Sequence, residues 1–344
     1  MDKTVVVTGG SGYIAGFVIA EFLNHGYNVR TSLRTVPKLD AVKEGLSGWV
    51  PDEALSRLTG FEADLTSPDG WVQGLTGADG VIHVASPLGD GTESAQELTR
   101  VAKGGTLNVL RAAQNTGVKR VVMTSSSAAC TPRTSVGTVV VDEECWTDPD
   151  NPEINPYRVS KTESERAAWA FAGDNDMQLT TVLPGSVFGP VMRKDKISGN
   201  RILLNLLNGV FTSAIKIPLE VTDVRDLALL HRLGFENDAA IGQRFLATGP
   251  ALSMPEVAGL LREHFPDSKT PASVLPNWMA RGFAVFIPSL RQLTSMIGRE
   301  YAHTERKAQS LLGWTQRDPQ ETVLDAAQSL ADHGLVAVRD KPAS

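Results

Sequence analysis

Residues 4–26, TVVVTGGSGYIAGFVIAEFLNHG, decide the fold. The run 4–8 is short and β-branched, which reads as a buried strand. Behind the glycines, Ile14, Phe17, Val18 and Phe22 recur at helical spacing. Gly9 permits a tight turn, Gly12 lets backbone amides approach a phosphate, and Ala15 is small enough for the helix to pack close to the sheet. The unpaired N–H groups of the helix N-terminus then face a diphosphate. A strand, a Gly-rich turn and a helix in immediate succession predict a dinucleotide cradle, with Thr8, Gly9, Gly12, Tyr13 and Ile14 around the phosphates.

Strand and helix alternate outward from this unit. The next strand, YNVRTSL, runs into Arg34, with Arg30 inside it and Lys38 beyond. A chain that prefers NAD usually carries Asp or Glu here for the ribose 2′-hydroxyl. A guanidinium suits a 2′-phosphate instead, so Arg34 and Lys38 predict NADPH/NADP+. Residues 49–60 leave helix and loop open. FEADL ends a third strand, and Asp64 and Leu65 fall where an adenine would be held. The fourth strand, VIHVASP (81–87), delivers Val84, Ala85, Ser86 and Pro87 to the cofactor. A helix follows from about residue 94 to 115; its Gly104 and Gly105 suggest close approach of a neighbour or a kink. RVVMTSSS (120–127) is the fifth strand and brings Thr124, Ser125 and Ser126 to its end. The pattern predicts an α/β fold: a Rossmann-type, doubly wound parallel sheet that binds ligands at its strand carboxyl ends.

The 344 residues, net charge of −6 and lack of a long basic run give no support to nucleic-acid binding. The longest apolar runs are strand-sized, so no membrane span is expected, and the early first strand leaves no room for a signal peptide. Cys130 and Cys145 do not make a disulfide framework, and the six His show no metal-binding spacing. We expect a cytoplasmic monomer or homodimer without a metal.

Tyr157 and Lys161, in YRVSK, sit one turn apart on one helix face. An ammonium there favours an ionised phenol. In order along the chain stand TGGSGYIA, Asp64-Leu65, VIHVASP, GVKRVVMTSSS, VDEECWTD, YRVSK, LPGSVFGP, VTDVRDLALLH and KAQSLLGW. Together they resemble the extended short-chain dehydrogenase/reductase family. The set is most similar to its dihydroflavonol 4-reductase, cinnamoyl-CoA reductase and aldehyde or ketone reductase branch. The resemblance covers nearly the whole chain. It implies a catalytic Ser126, Tyr157 and Lys161, with Tyr157 giving a proton, Ser126 a hydrogen bond, and Lys161 holding the nicotinamide ribose. It also implies cofactor contacts from Tyr157, Lys161, Pro184, Gly185 and Val187, and NADPH-dependent reduction of a small-molecule carbonyl. Ser86, Ser126, Tyr157, Val187, Phe188 and Met192 are the expected substrate contacts.

Two departures narrow the substrate. Cinnamoyl-CoA reductases resemble one another in an Asn-Trp-Tyr-Cys-Tyr stretch, whereas this chain has Asn155-Pro156-Tyr157-Arg158-Val159. Segment 128–133, AACTPR, lacks the amide or acid that contacts a flavonoid in the plant dihydroflavonol reductases. A nucleotide-sugar epimerase or dehydratase and a non-catalytic NADP-binding regulator are the competing readings. The missing acid after the second strand opposes the first, and the retained Tyr and Lys oppose the second. Expected boundaries are 1–190 for the NADP-binding domain, with 223–250 returning to it, and 191–222 plus 251–337 for a mostly helical substrate lobe. Residues 338–344 read as a flexible tail. Pro276, Trp278, Met279, Phe283, Phe286 and Ile287 read as helix packing or pocket lining.

Overall fold

A computed structural model of the chain describes residues 3–87, 95–133, 139–152, 154–284, 296–299 and 301–336. The first half runs β1 (Thr4–Val7), α1 (Tyr13–Asn24), β2 (Asn28–Leu33), α2 (Lys38–Leu46), α3 (Asp52–Leu55), β3 (Leu58–Glu62), α4 (Trp71–Leu75) and β4 (Gly80–His83). It continues with α5 (Ala95–Thr116), β5 (Arg120–Thr124), β6 (Val139–Val141), α6 (Pro156–Asp174) and β7 (Gln178–Pro184). Then come β8 (Ser186–Phe188), α7 (Arg201–Leu207), β9 (Ala214–Ile215), β10 (Pro218–Asp223), α8 (Val224–Glu236) and β11 (Arg244–Ala247). The remainder is β12 (Ala251–Ser253), α9 (Met254–His264), β13 (Val274–Leu275), α10 (Asn277–Phe283), β14 (Tyr301–His303), α11 (Arg306–Leu312) and α12 (Pro319–Asp332).

The central sheet has seven strands in the order β3-β2-β1-β4-β5-β7-β11, all parallel, as the alternation predicts. Both faces are buried, and the side-chain alternation shows it. Val5 and Val7 belong to the large cluster beneath α1 and α8, while Val6 belongs to the smaller one beneath α5 and α6. Val122 joins the first cluster, and Val121 and Met123 the second. Such strands read as continuous apolar runs because helices cover both sides.

Strand order reverses between β1 and β4, which makes the gap beyond their carboxyl ends the switch point where such sheets bind ligands. Gly105 meets Leu65 there: a Cβ on Gly105 would lie 2.8 Å from the Leu65 Cβ. That close approach accounts for one of the two helix glycines; Gly104 has nothing within 4 Å.

The second half is less helical than expected. β8, β10 and β12 form a three-stranded sheet, β9 pairs β13, and β14 returns to pair β6 in the first half. The large cluster runs without a break from Phe17 and Phe22 of α1 to Leu203, Trp314 and Val323. On α10, Trp278 and Phe283 are exposed rather than packed. Phe286, Ile287 and the tail 338–344 lie outside the described residues. Among the described residues no helix is long and apolar enough to cross a membrane, and no His/Cys/Asp/Glu group is arranged for a metal.

Candidate active site

The turn after β1 is built as the sequence predicts. Gly9 has φ +73°, and a Cβ on it would lie 2.9 Å from the Ala85 Cβ, so both conformation and space require glycine. The Gly9 and Gly10 amides donate to Ser32 Oγ and O at 2.9 and 3.1 Å, and Gly12 donates to Gly9 O at 2.8 Å. Gly12 is the N-cap of α1 and offers no side-chain cap, and no acidic residue occupies the first turn. The first-turn amides, those of Tyr13 and Ile14 among them, are therefore free to bind an anion. This donor set and the exclusion of any side chain at Gly9 fit a dinucleotide diphosphate.

Thr8 works one layer below. Its Oγ1 accepts from the Val84 and Ala85 amides at 3.0 and 2.9 Å, which fastens β1 to β4 at the switch point. With its lone pairs engaged, the Thr8 hydroxyl proton goes to His83 Nδ1, 2.9 Å away. Burial, aided by the Lys161 charge, pushes the His83 pKa down to about 3. Burial likewise lowers His231 to about 4, against a backbone bond to Leu227 that raises it; its Nε2 lies 2.7 Å from Thr124 Oγ1. Both imidazoles are neutral when folded and protonate near 6.5 when unfolded. Their contribution is present above pH 6.5 and is lost as pH falls through 6.5 toward 4 and 3. Urea unfolding at pH 7.5 and 5.5 should show a loss of ~2–3 kcal/mol for the pair. Unchanged midpoints would contradict the neutral assignment.

The Ser, Tyr and Lys expected to carry the chemistry come from β5 and α6. Ser126 ends the β5 segment and is buried; its Oγ caps the 127–129 turn, accepting from the Ala128 amide at 3.2 Å. Helix α6 starts where it does because Asn155 caps it, accepting from Arg158 N at 3.0 Å, and Pro156 fills its first position. Tyr157 is thus fixed in the first turn and half-buried. One turn on, Lys161 is 7% exposed, its Nζ 5.8 Å from the Tyr157 ring centroid and 3.0 Å from Ser86 Oγ. No carboxylate among the described residues pairs with this ammonium.

Arg34 stands 81% exposed beyond β2, 3.4 Å from the Asp64 carboxylate. Lys38 opens α2 and is exposed. Asp64 spends Oδ1 on the Thr66 hydroxyl and amide; these two bonds, more than Arg34, lower its pKa. Arg30 turns away and donates to the Gly74 and Thr76 carbonyls. Gly185 N donates to Thr222 Oγ1 at 3.0 Å, Pro184 pairs with Ala247, and Val187 is 9% exposed.

Three expectations need correction. Phe188 is fully buried in the large cluster, so its side chain does not reach a substrate. Met192 packs its sulfur against Gly16 in the first turns of α1, at the Gly-rich turn rather than beside Ser126 and Tyr157. The Tyr13 side chain is also buried, donating to Gly189 O at 3.0 Å, which leaves only its backbone for the expected phosphate contact.

Several residues around the site were not anticipated. Glu165, one turn past Lys161, is fully buried and accepts from Ser125 Oγ at 2.6 Å. Arg244 donates to Glu165 at 2.9 Å and stacks 3.7 Å from the Trp146 ring. Arg158 ties the Thr131 hydroxyl to Tyr301 Oη. The Glu165 signal was its place on the Tyr157-Lys161 face; Arg244 gave one by standing in the apolar strand RFLA.

A Gly-rich turn at the switch point, faced by Ser, Tyr and Lys from β5 and α6, defines a dinucleotide-binding protein of the Rossmann class. A model of the NAD dependent epimerase/dehydratase family matches residues 5–229, and the chain belongs to that family, among the extended short-chain dehydrogenases/reductases. Cinnamoyl-CoA reductase 2 of Medicago truncatula is 35% identical over 276 residues, 78% of this chain and 79% of that protein. A (2S)-flavan-3-ol-forming anthocyanidin reductase of Vitis vinifera is 32% identical over 287 residues, 78% of this chain and 83% of that protein. Among solved structures, Gre2 of Candida albicans in complex with NADPH superposes with a TM-score of 0.76 at 26% identity, over 96% of this chain and 99% of that one.

Proposed function

We propose that this chain is an NADPH-dependent reductase that converts an aldehyde or ketone to the alcohol. The observation that carries the reading is Lys161: a buried ammonium without a carboxylate partner among the described residues, held between Ser86 at the end of β4 and Tyr157 on its own helix. A buried cation is costly unless polar groups surround it, and ribose hydroxyls and a developing tyrosinate meet that need. The reductases named above and the NADPH-bound neighbour support the same chemistry.

NADPH, when bound, supplies the hydride. Ser126 donates a hydrogen bond to the carbonyl oxygen as charge develops there. Tyr157 delivers the proton, and Lys161 stabilises the phenolate left behind while holding the nicotinamide ribose. The first-turn amides of α1 would hold the diphosphate, and Arg34 the 2′-phosphate. A screen of NADPH and NADH oxidation over keto esters, aryl ketones and aryl aldehydes tests the reading. Turnover with at least one carbonyl, faster with NADPH, is expected; none at all with bound NADPH would reject it.

Cofactor choice makes a separate prediction. Arg34 is exposed and lightly held by Asp64, so it can turn to a phosphate without breaking the fold. Arg34→Asp should weaken NADPH binding by roughly 10–100-fold, the worth of a charge-assisted hydrogen bond, and leave NADH binding nearly unchanged. Fluorescence titration of both nucleotides measures it, and parallel losses would refute the assignment.

A further inference from the structure

We propose that segment 191–197 is a second phosphate-binding element of the dinucleotide site, with Lys196 as its cation. The proposal rests on the cofactor reading above. A recess beside the Gly-rich turn is lined by Gly10, Ser11 and Gly12 together with Arg193 and Lys196. Nothing in the sequence drew these two cations to the site; the chain brings them there after leaving β8.

The segment crosses two helices at glycines. A Cβ on Gly16 of α1 would lie 3.2 Å from the Met192 sulfur, and a Cβ on Gly45 of α2 would lie 2.7 Å from Arg193 Cγ. Both helices are notched where the segment lies on them. The start of the segment is fastened. Val191 N donates to Ser329 Oγ at 2.9 Å, and Val191 O lies 2.8 Å from Nε2 of His333, the C-cap of α12 one turn further on. Beyond Lys196 the chain turns through Ser198 at φ +41°, a left-handed conformation unusual for serine, and Gly199 abuts Val187 O.

The charges leave a cation to spare. Asp195 takes Arg193 bidentately, with Nε–Oδ1 at 3.1 Å and Nη2–Oδ2 at 3.0 Å. Lys196 lies 3.7 Å from the same carboxylate. Two cations thus share one anion, and among the described residues no carboxylate lines the recess. Arg193 and Asp195 make a fixed base, and Lys196, 42% exposed and held only by the 3.7 Å contact to Asp195, can extend over the turn. The free first-turn amides of α1 and this ammonium suit the same chemistry, a phosphate.

Lys196→Ala, Lys196→Arg and wild type should be titrated with NADPH and with NADH by fluorescence, at low and moderate salt. Lys196→Ala is expected to weaken binding about tenfold and to reduce its salt dependence, with Lys196→Arg close to wild type. Equal weakening of both nucleotides supports contact with the diphosphate; weakening of NADPH alone supports contact with the 2′-phosphate. Unchanged affinities in Lys196→Ala, with Arg34→Asp still impaired, overturn the proposal and leave the cofactor reading standing. Wild type that binds neither nucleotide overturns both.

Discussion

Tyr157→Phe is expected to lower kcat by about 10²–10⁴-fold, the usual worth of a positioned general acid. NADPH affinity should stay within about threefold. The substitution removes one oxygen and keeps the ring, so the packing around Lys161 survives. Lys161 Nζ remains bonded to Ser86 Oγ, and that contact does not involve the phenol. Helix α6 also survives, because its start is fixed by Asn155 and Pro156 rather than by Tyr157. What goes, on the proposed function, is the proton donor at the carbonyl oxygen. Water could replace it only by entering a site where Ser126 and Lys161 are both buried. Single-turnover oxidation of bound NADPH with the best carbonyl from the screen separates chemistry from product release. Turnover within a few-fold of wild type would show that another group gives the proton.

How much of this was legible depends on distance along the chain. The cradle was, because Gly9, Gly12 and Ala15 act within one strand-turn-helix unit whose spacing is local. The Tyr157-Lys161 face was legible for the same reason. The misreadings come from directions that the chain takes only after folding. Val187 and Phe188 are neighbours in β8 and both join the large cluster; Phe188 is fully buried there, while Val187 keeps 9% of its surface exposed. Met192 sits on a segment that doubles back over α1, which no local pattern signals. Tyr13 opens a helix whose first-turn side chain reaches Gly189, far along the sequence. The pairing of β6 with β14 and the ion pair of Glu165 with Arg244 join residues too remote for any window to connect.

That ion pair sets the second large effect. Glu165→Ala should destabilise the fold by ~3–5 kcal/mol, the cost of stranding one member of a buried pair. Glu165 is fully buried and accepts from four donors: Arg244, Ser125, Thr181 and Trp169. Without the carboxylate, a guanidinium that is 8% exposed keeps only backbone carbonyls and the Trp146 face, and two buried hydroxyls lose a partner. The pair itself need not be a source of net stability, since desolvating two charges offsets most of their attraction. The double variant Glu165→Leu/Arg244→Met should therefore lie well above the sum of the single losses, with a coupling of at least ~2 kcal/mol by urea unfolding. Strict additivity would mean that the two side chains act independently. The same geometry links the pair to catalysis. Ser125, held by Glu165, directly precedes Ser126, and Arg244 Nη2 reaches the Ala129 carbonyl at 3.4 Å on the other side of it. The double variant, folded but lacking both anchors, should lose kcat more than NADPH affinity. The pair frames the short span that carries the Ser126 hydroxyl, while the phosphates are held at β1.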